Sequence, residues 1–329
     1  MGEFLQKVKV GQIKWLANTA TVTPEAKRPG LHSIGKMLPY CIPAEHAAQN
    51  LMPAIREKAV EYFRAHGIKW HDHSIAGPSN HLADSQVCCV NFLMALAGSE
   101  DLLINLFRRY FPNIIEVLPM DEGELVAFEW IGAKNYLKEK IRPGEKRVRG
   151  SMCTSADAAV MFKTHSGRKI IVLIEWKYSE SYKEESYRFA RSGTDRMTIY
   201  QHLYDKDNFP VDKSKLPAFE SLFYEPFYQF MRQQCLAREM ETAHELGADE
   251  VYVMHLSPKA NKDFGAVTSA ELRQLGSTAT EVWQALLVDK SRFLPLHIDE
   301  FFDNKLMCGY PDLRDHWNYL RDRYASVLE

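Results

Sequence analysis

The chain has 329 residues, with 41 basic and 43 acidic side chains and a formal net charge of −2. That length allows a large core, and the near-neutral balance excludes a global electrostatic demand for nucleic acid, so any such demand is local. The start of the chain lacks a signal-peptide apolar region and no stretch is long enough to span a bilayer, which points to a cytoplasmic protein with no membrane partner.

Residues 4–16 suit a short helix or strand. Residues 19–43 carry four prolines and two glycines and read as an irregular arm. At 53–66 Ile55, Ala59, Tyr62 and Phe63 share one face of a helix that Gly67 ends. A loop with His71, His73 and His81 follows. The three histidines invite a metal reading, but His-x-His with a distant third histidine is a weak signal, and a loop whose histidines hydrogen-bond the next helix is preferred. Residues 82–97 form a strongly apolar helix interrupted by Gln86 and Asn91, and 101–111 a further helix ending before Pro112. Short strands fit 116–118 and 124–131, the second carrying Glu129.

Between residues 132 and 150 seven basic side chains (Lys134, Lys138, Lys140, Arg142, Lys146, Arg147 and Arg149) face two acids (Glu139 and Glu145), a local excess of five. Such runs are usually solvated loops, but this one leads into a strand at 156–163 and so hangs near the acids described next. Lys146, Arg147 and Arg149 are its candidate phosphate contacts. A turn at 164–169 then joins a second strand, KIIVLIEWKY, whose Ile and Val content marks it as central and covered on both faces. Residues 179–217 are polar, with a helix at 195–205, and read as a mobile flap or insertion. A helix at 219–246 carries Gln229, Arg232 and Gln233, candidate nucleic-acid contacts set against a plain solvated face. A buried strand at 251–258 follows, then helices at 268–287 and 311–327. The six cysteines (Cys41, Cys88, Cys89, Cys153, Cys235 and Cys308) form no CxxC pair and read as reduced, mostly buried thiols rather than a zinc ribbon.

The hairpin across 164–169 makes Asp157 and Glu175 neighbours on antiparallel strands. Side chains alternate in a strand, so Glu175 and Lys177 share a face while Trp176 and Tyr178 take the other. Acid-x-Lys triplets also occur at Glu25–Lys27 and Asp303–Lys305, but only Glu175–Lys177 ends a buried strand with an aspartate paired across a hairpin. Its plain alternative is an edge salt bridge. Asp157, Glu175 and the Trp176 carbonyl would give Mg²⁺ or Mn²⁺ hard oxygen ligands, and Lys177 would orient a water or stabilise developing charge.

Asp157 followed by Glu175-Trp176-Lys177, in the order α-β-β-β-α-β, resembles the PD-(D/E)XK nuclease superfamily, with Ala156 where the motif has proline. The blocks HLADSQVCCVNF, TSADAAVMF, IEWKYSESY, FYEPFYQFMRQQ and VYVMHLSPKAN, from His81 to Asn261, also resemble a bacterial restriction-endonuclease-like family. The resemblance implies a restriction-endonuclease-like α/β core at 81–260, with a mixed central sheet flanked by helices. An N-terminal arm at 1–80 and a helical extension at 261–329 would pack on it. It implies a metal-dependent nuclease fold with Asp157, Glu175 and Lys177 as the active-site set and Glu129 and Gln86 as accessory positions. The first functional expectation is a restriction-type endonuclease acting in defence or repair. DNA is the expected substrate, and two copies pairing as a homodimer is an analogy with double-strand cutters. The alternative is a nuclease fold that has lost turnover and binds nucleic acid or protein. A hydrolase centred on His71, His73 and His81 is the third reading.

Overall fold

The computed structural model describes residues 2–71, 74–139, 146–151 and 153–328. Its elements run α1 (Glu3–Asn18), β1 (Gly30–Leu31), β2 (Met37–Leu38), α2 (Arg56–Ala65), α3 (Ser85–Leu93), α4 (Glu100–Phe107), β3 (Ile114–Leu118), β4 (Val126–Trp130), β5 (Ala156–Thr164) and β6 (Lys169–Trp176). They continue through α5 (Met197–Tyr204), α6 (Phe227–Thr242), β7 (Glu250–Ser257), α7 (Ala279–Leu286), β8 (Phe293–His297), α8 (Ile298–Phe301), α9 (Asn304–Cys308), α10 (Arg314–Arg323) and α11 (Ala325–Leu328).

Strands β3 to β8 form one mixed sheet. β3 and β4 pair antiparallel with β5, which pairs antiparallel with β6; β7 and β8 then follow in parallel. Each parallel step needs a crossover, and α6 and α7 lie in those connections. Helices cover both faces, which is why β6 reads as an unbroken apolar run. Ile170, Val172, Ile174 and Trp176 enter a core built with α1, α3, α4 and α10, while Ile171 and Leu173 enter a second core with α5, α6 and α7. This is the α/β architecture the sequence predicts, a mixed central sheet flanked by helices. Among the described residues no single helix is long and apolar enough to cross a membrane.

Several elements differ from the sequence reading. The helix expected at 82–97 starts later, because the Asp84 carboxylate caps it by accepting from the Val87 N–H at 2.8 Å, and it ends at Leu93. The helix expected at 219–246 is split: Pro226 lacks a donor and is tolerated only at a helix start, so α6 begins at Phe227. Strand β8 was not foreseen, since Pro295 disfavours a strand; it lies on the sheet edge, where proline costs no internal pairing. Residues 179–217 form an insertion built into the second core through Tyr200, Leu203, Phe209 and Val211 rather than a loose flap.

Candidate active site

The β5–β6 register pairs Ala158 with Ile174, so one step further Asp157 stands opposite Glu175. Directly opposed residues share a face of the sheet, and Lys177, two residues on, shares it too. The Asp157 Oδ2 accepts a hydrogen bond from the Trp176 N–H at 2.7 Å, which pins its carboxylate across the strand gap. Lys177 Nζ lies 2.6 Å from Glu175 Oε1, and both side chains are buried. From α6 on the same face, Gln229 donates to Glu175 Oε1 and Gln233 to Oε2, each at 2.7 Å. Gln233 also donates to the Ser155 carbonyl. Among the described residues none donates to the second oxygen of Asp157.

A third carboxylate joins from β4. Phe128 pairs with Ala158 and Trp130 with Ala156, which sets Glu129 level with Asp157. Its φ is +51°, a left-handed conformation that a non-glycine side chain adopts only when its surroundings hold it. The holding contacts are Gln86 of α3, which donates to Glu129 Oε1 at 2.6 Å, and Ser155, which donates to Oε2 at 2.6 Å. Gln86 is tethered in turn by donating to the Lys69 carbonyl at 3.2 Å and accepting from the His71 N–H at 2.8 Å. The Trp176 carbonyl accepts a long hydrogen bond, 3.4 Å, from Ser85 Oγ.

Burial sets the electrostatics. Loss of water, with Glu175 and then Glu129 close by, pushes the Asp157 carboxyl well above its ordinary range against the opposing pull of Lys177. Burial also raises Glu129, partly offset by the hydrogen bonds from Ser155 and Gln86. Burial works against the Lys177 ammonium, but Glu175, followed by Tyr182 and Glu180, outweighs it and holds lysine well above its usual value. Three buried or half-buried carboxylates against one ammonium leave a deficit of positive charge. A divalent cation with a preference for oxygen fits that deficit, and Asp157, Glu175 and the Trp176 carbonyl are the donors at hand.

Of the remaining predicted contacts, Arg147, Arg149 and Arg232 have partners within the protein. Arg147 donates to the Ile131 and Gly132 carbonyls, both at 2.8 Å. Arg149 donates to the Phe128 carbonyl at 2.9 Å and pairs with Asp121 at 2.9 Å. These two guanidiniums fasten the loop to β4 and to the residues just after it, as half-buried cations require partners. Lys146 is exposed, while Lys140 and Arg142 lie outside the described residues. Arg232 lies 4.6 Å from the Tyr228 ring centroid and donates to Thr154 Oγ1 at 3.2 Å. The face of α6 with Gln229, Arg232 and Gln233 is thus turned to the sheet, with Gln233 buried and Gln229 and Arg232 half-buried.

Sequence reasoning also missed His255. The β6–β7 register sets it beside Glu175, buried among Phe230, Phe264 and Phe293. Among the described residues neither ring nitrogen has a hydrogen-bond partner. The HLSP ending of the strand was its only trace in the sequence. Of the histidines at 71–81, His73 lies outside the described residues, and His81 neighbours His32 rather than forming a site with His71.

The family described as "Restriction Endonuclease associating with ARP" matches residues 12–325. The chain belongs to this restriction-endonuclease family. No curated protein and no solved structure is detectably similar to it. The family match runs from within α1 to within α11, so it takes in the arm and the C-terminal helices together with the sheet.

Proposed function

We propose that the chain is a metal-dependent nuclease of the PD-(D/E)XK type, hydrolysing phosphodiester bonds of DNA. One observation carries the reading: Asp157 and Glu175 oppose each other on paired strands, with Lys177 on the same face and hydrogen-bonded to Glu175. A Mg²⁺ or Mn²⁺ ion held by Asp157, Glu175 and the Trp176 carbonyl would supply Lewis-acid polarisation of the scissile phosphate. Gln229 and Gln233 fix the Glu175 carboxylate so that it need not reorganise during the reaction. Lys177 orients the attacking water and stabilises the negative charge that develops on phosphorus-bound oxygen. Glu129, steadied by Gln86, serves as an accessory acid beside Asp157. The family's description names association with ARP, and we take this to indicate a protein partner for the chain in addition to DNA.

Incubation of supercoiled plasmid with Mg²⁺, Mn²⁺ or EDTA tests the proposal. Nicking that requires the metal and disappears in Asp157→Asn supports it. One feature favours a second reading, a nuclease fold kept as a scaffold: Glu175 already accepts from Lys177, Gln229 and Gln233. Absence of cleavage of any DNA or RNA form with either metal, and of metal binding at Asp157 and Glu175, would favour that scaffold.

A further inference from the structure

We propose that His32, Cys41 and His81 form a second metal site, separate from the carboxylate cluster, that binds Zn²⁺ and clips the N-terminal arm to the sheet domain. The ligand atoms of these three side chains lie within 4.8 Å of one another. Tetrahedral zinc with the usual Zn–S and Zn–N lengths needs donors roughly 3.3–3.6 Å apart, so side-chain movements of about 1 Å close the shell. One soft thiolate and two imidazoles suit zinc, whereas the hard oxygen donors of the active site suit magnesium or manganese.

The backbone builds this cluster from three separate segments. Cys41 and His81 face each other in an isolated antiparallel bridge, flanked by hydrogen bonds from Leu82 N to the Tyr40 carbonyl at 3.0 Å and from Ile42 N to the Asn80 carbonyl at 3.0 Å. On the other side of Cys41, Gly30 N donates to its carbonyl at 2.7 Å. A Cβ on Gly30 would sit 1.9 Å from the Ile42 carbonyl oxygen, so only glycine lets the segment leading to His32 approach this closely. Tyr40 stands edge-on to both imidazoles, with centroids 6.3 Å and 5.2 Å away, and closes one side. His32 Nδ1 accepts a hydrogen bond from the Ile34 N–H at 3.2 Å and lies 3.3 Å from Ser33 Oγ, which fixes the orientation of the ring.

His32 and His81 also line an open cleft of about 870 Å³ that extends past Ser85 to Glu180. The three protein ligands leave a fourth position, which this cleft can fill with water. When the metal binds, the Cys41 S–H bond breaks, its proton passes to solvent, and the sulfur's electron pair forms the bond to zinc. No oxidant is needed, and the carboxylate cluster takes no part.

The test adds Co²⁺ to the full-length protein and follows its absorption. The expected result is one thiolate-to-cobalt charge-transfer band, displaced by Zn²⁺, present in the wild type, Asp157→Asn and Cys308→Ser, and absent in Cys41→Ser. No band in the wild type, a band that survives Cys41→Ser, or one abolished by Cys308→Ser overturns the site. If Cys41→Ser does not fold, His32→Gln decides, since His32 is only partly buried. Co²⁺ binding weakened by at least about tenfold supports the site, and unchanged binding overturns it.

Discussion

The Lys177 ammonium lies 2.6 Å from Glu175 Oε1 with both side chains buried, so the lysine is part of the fold as well as of the proposed chemistry. Removing one partner of a buried pair strands the other charge. Lys177→Met is therefore expected to cost stability, about 3 kcal/mol, as well as roughly a hundredfold or more in turnover. In the double variant Lys177→Met/Glu175→Gln most of the stability should return, while turnover stays lost. Urea denaturation beside plasmid nicking checks both halves; turnover that returns with stability would contradict the role given to Lys177.

Asp157 links metal and pH to stability. Its folded pKa is raised, so the folded state holds the proton more tightly than the unfolded chain. That contribution is fully present below the ordinary aspartate value and is lost as pH rises through the raised one. Without divalent ions, Asp157→Asn should gain stability over the wild type as pH rises from acid to neutral. With Mn²⁺ at about a hundred times its dissociation constant the wild type should gain about 2.7 kcal/mol and the variant much less. Thermal melts with and without Mn²⁺ read both effects.

His316 reports on the layer where the two ends of the chain meet. It is buried, and loss of water pushes its pKa down to about 4. The unfolded chain takes up this proton near pH 6.5 and the folded chain does not, so stability falls as pH drops from about 6.5 toward 4. The difference corresponds to about 3 kcal/mol at the lower limit. His316→Leu should flatten the dependence of the melting temperature over that window, and a slope equal to wild type would refute the assignment.

Gly30→Ala should destabilise the arm by about 1–3 kcal/mol, since the added Cβ would meet the Ile42 carbonyl and the backbone must shift. Limited proteolysis should then cut first between residues 19 and 43. Gly35→Ala, which meets nothing within 4 Å, serves as the comparison, although its φ of +77° adds a strain of its own.

The sheet and its central acids were legible because their signals are local and periodic. Ile170 to Ile174 form an unbroken apolar run, and a turn containing Gly167 fixes the register that sets Asp157 against Glu175. Partnership across the fold was not legible. Nothing around Arg147 or Arg149 says that β4 carbonyls and Asp121 take up their charge, and nothing around Gln229 or Gln233 says that Glu175 does. A basic or amphipathic stretch looks the same in sequence whether it meets solvent or a buried acid. His255 stayed hidden because its place beside Glu175 depends on a parallel pairing between strands that are 80 residues apart.

Anomalous diffraction from crystals soaked in Mn²⁺ locates the ion on which the proposed hydrolysis depends. The expected result is a peak between the carboxylates of Asp157 and Glu175, within bonding distance of the Trp176 carbonyl and absent from Asp157→Asn crystals. A soaked crystal with no peak there, or with manganese only at His32, Cys41 and His81, would contradict it.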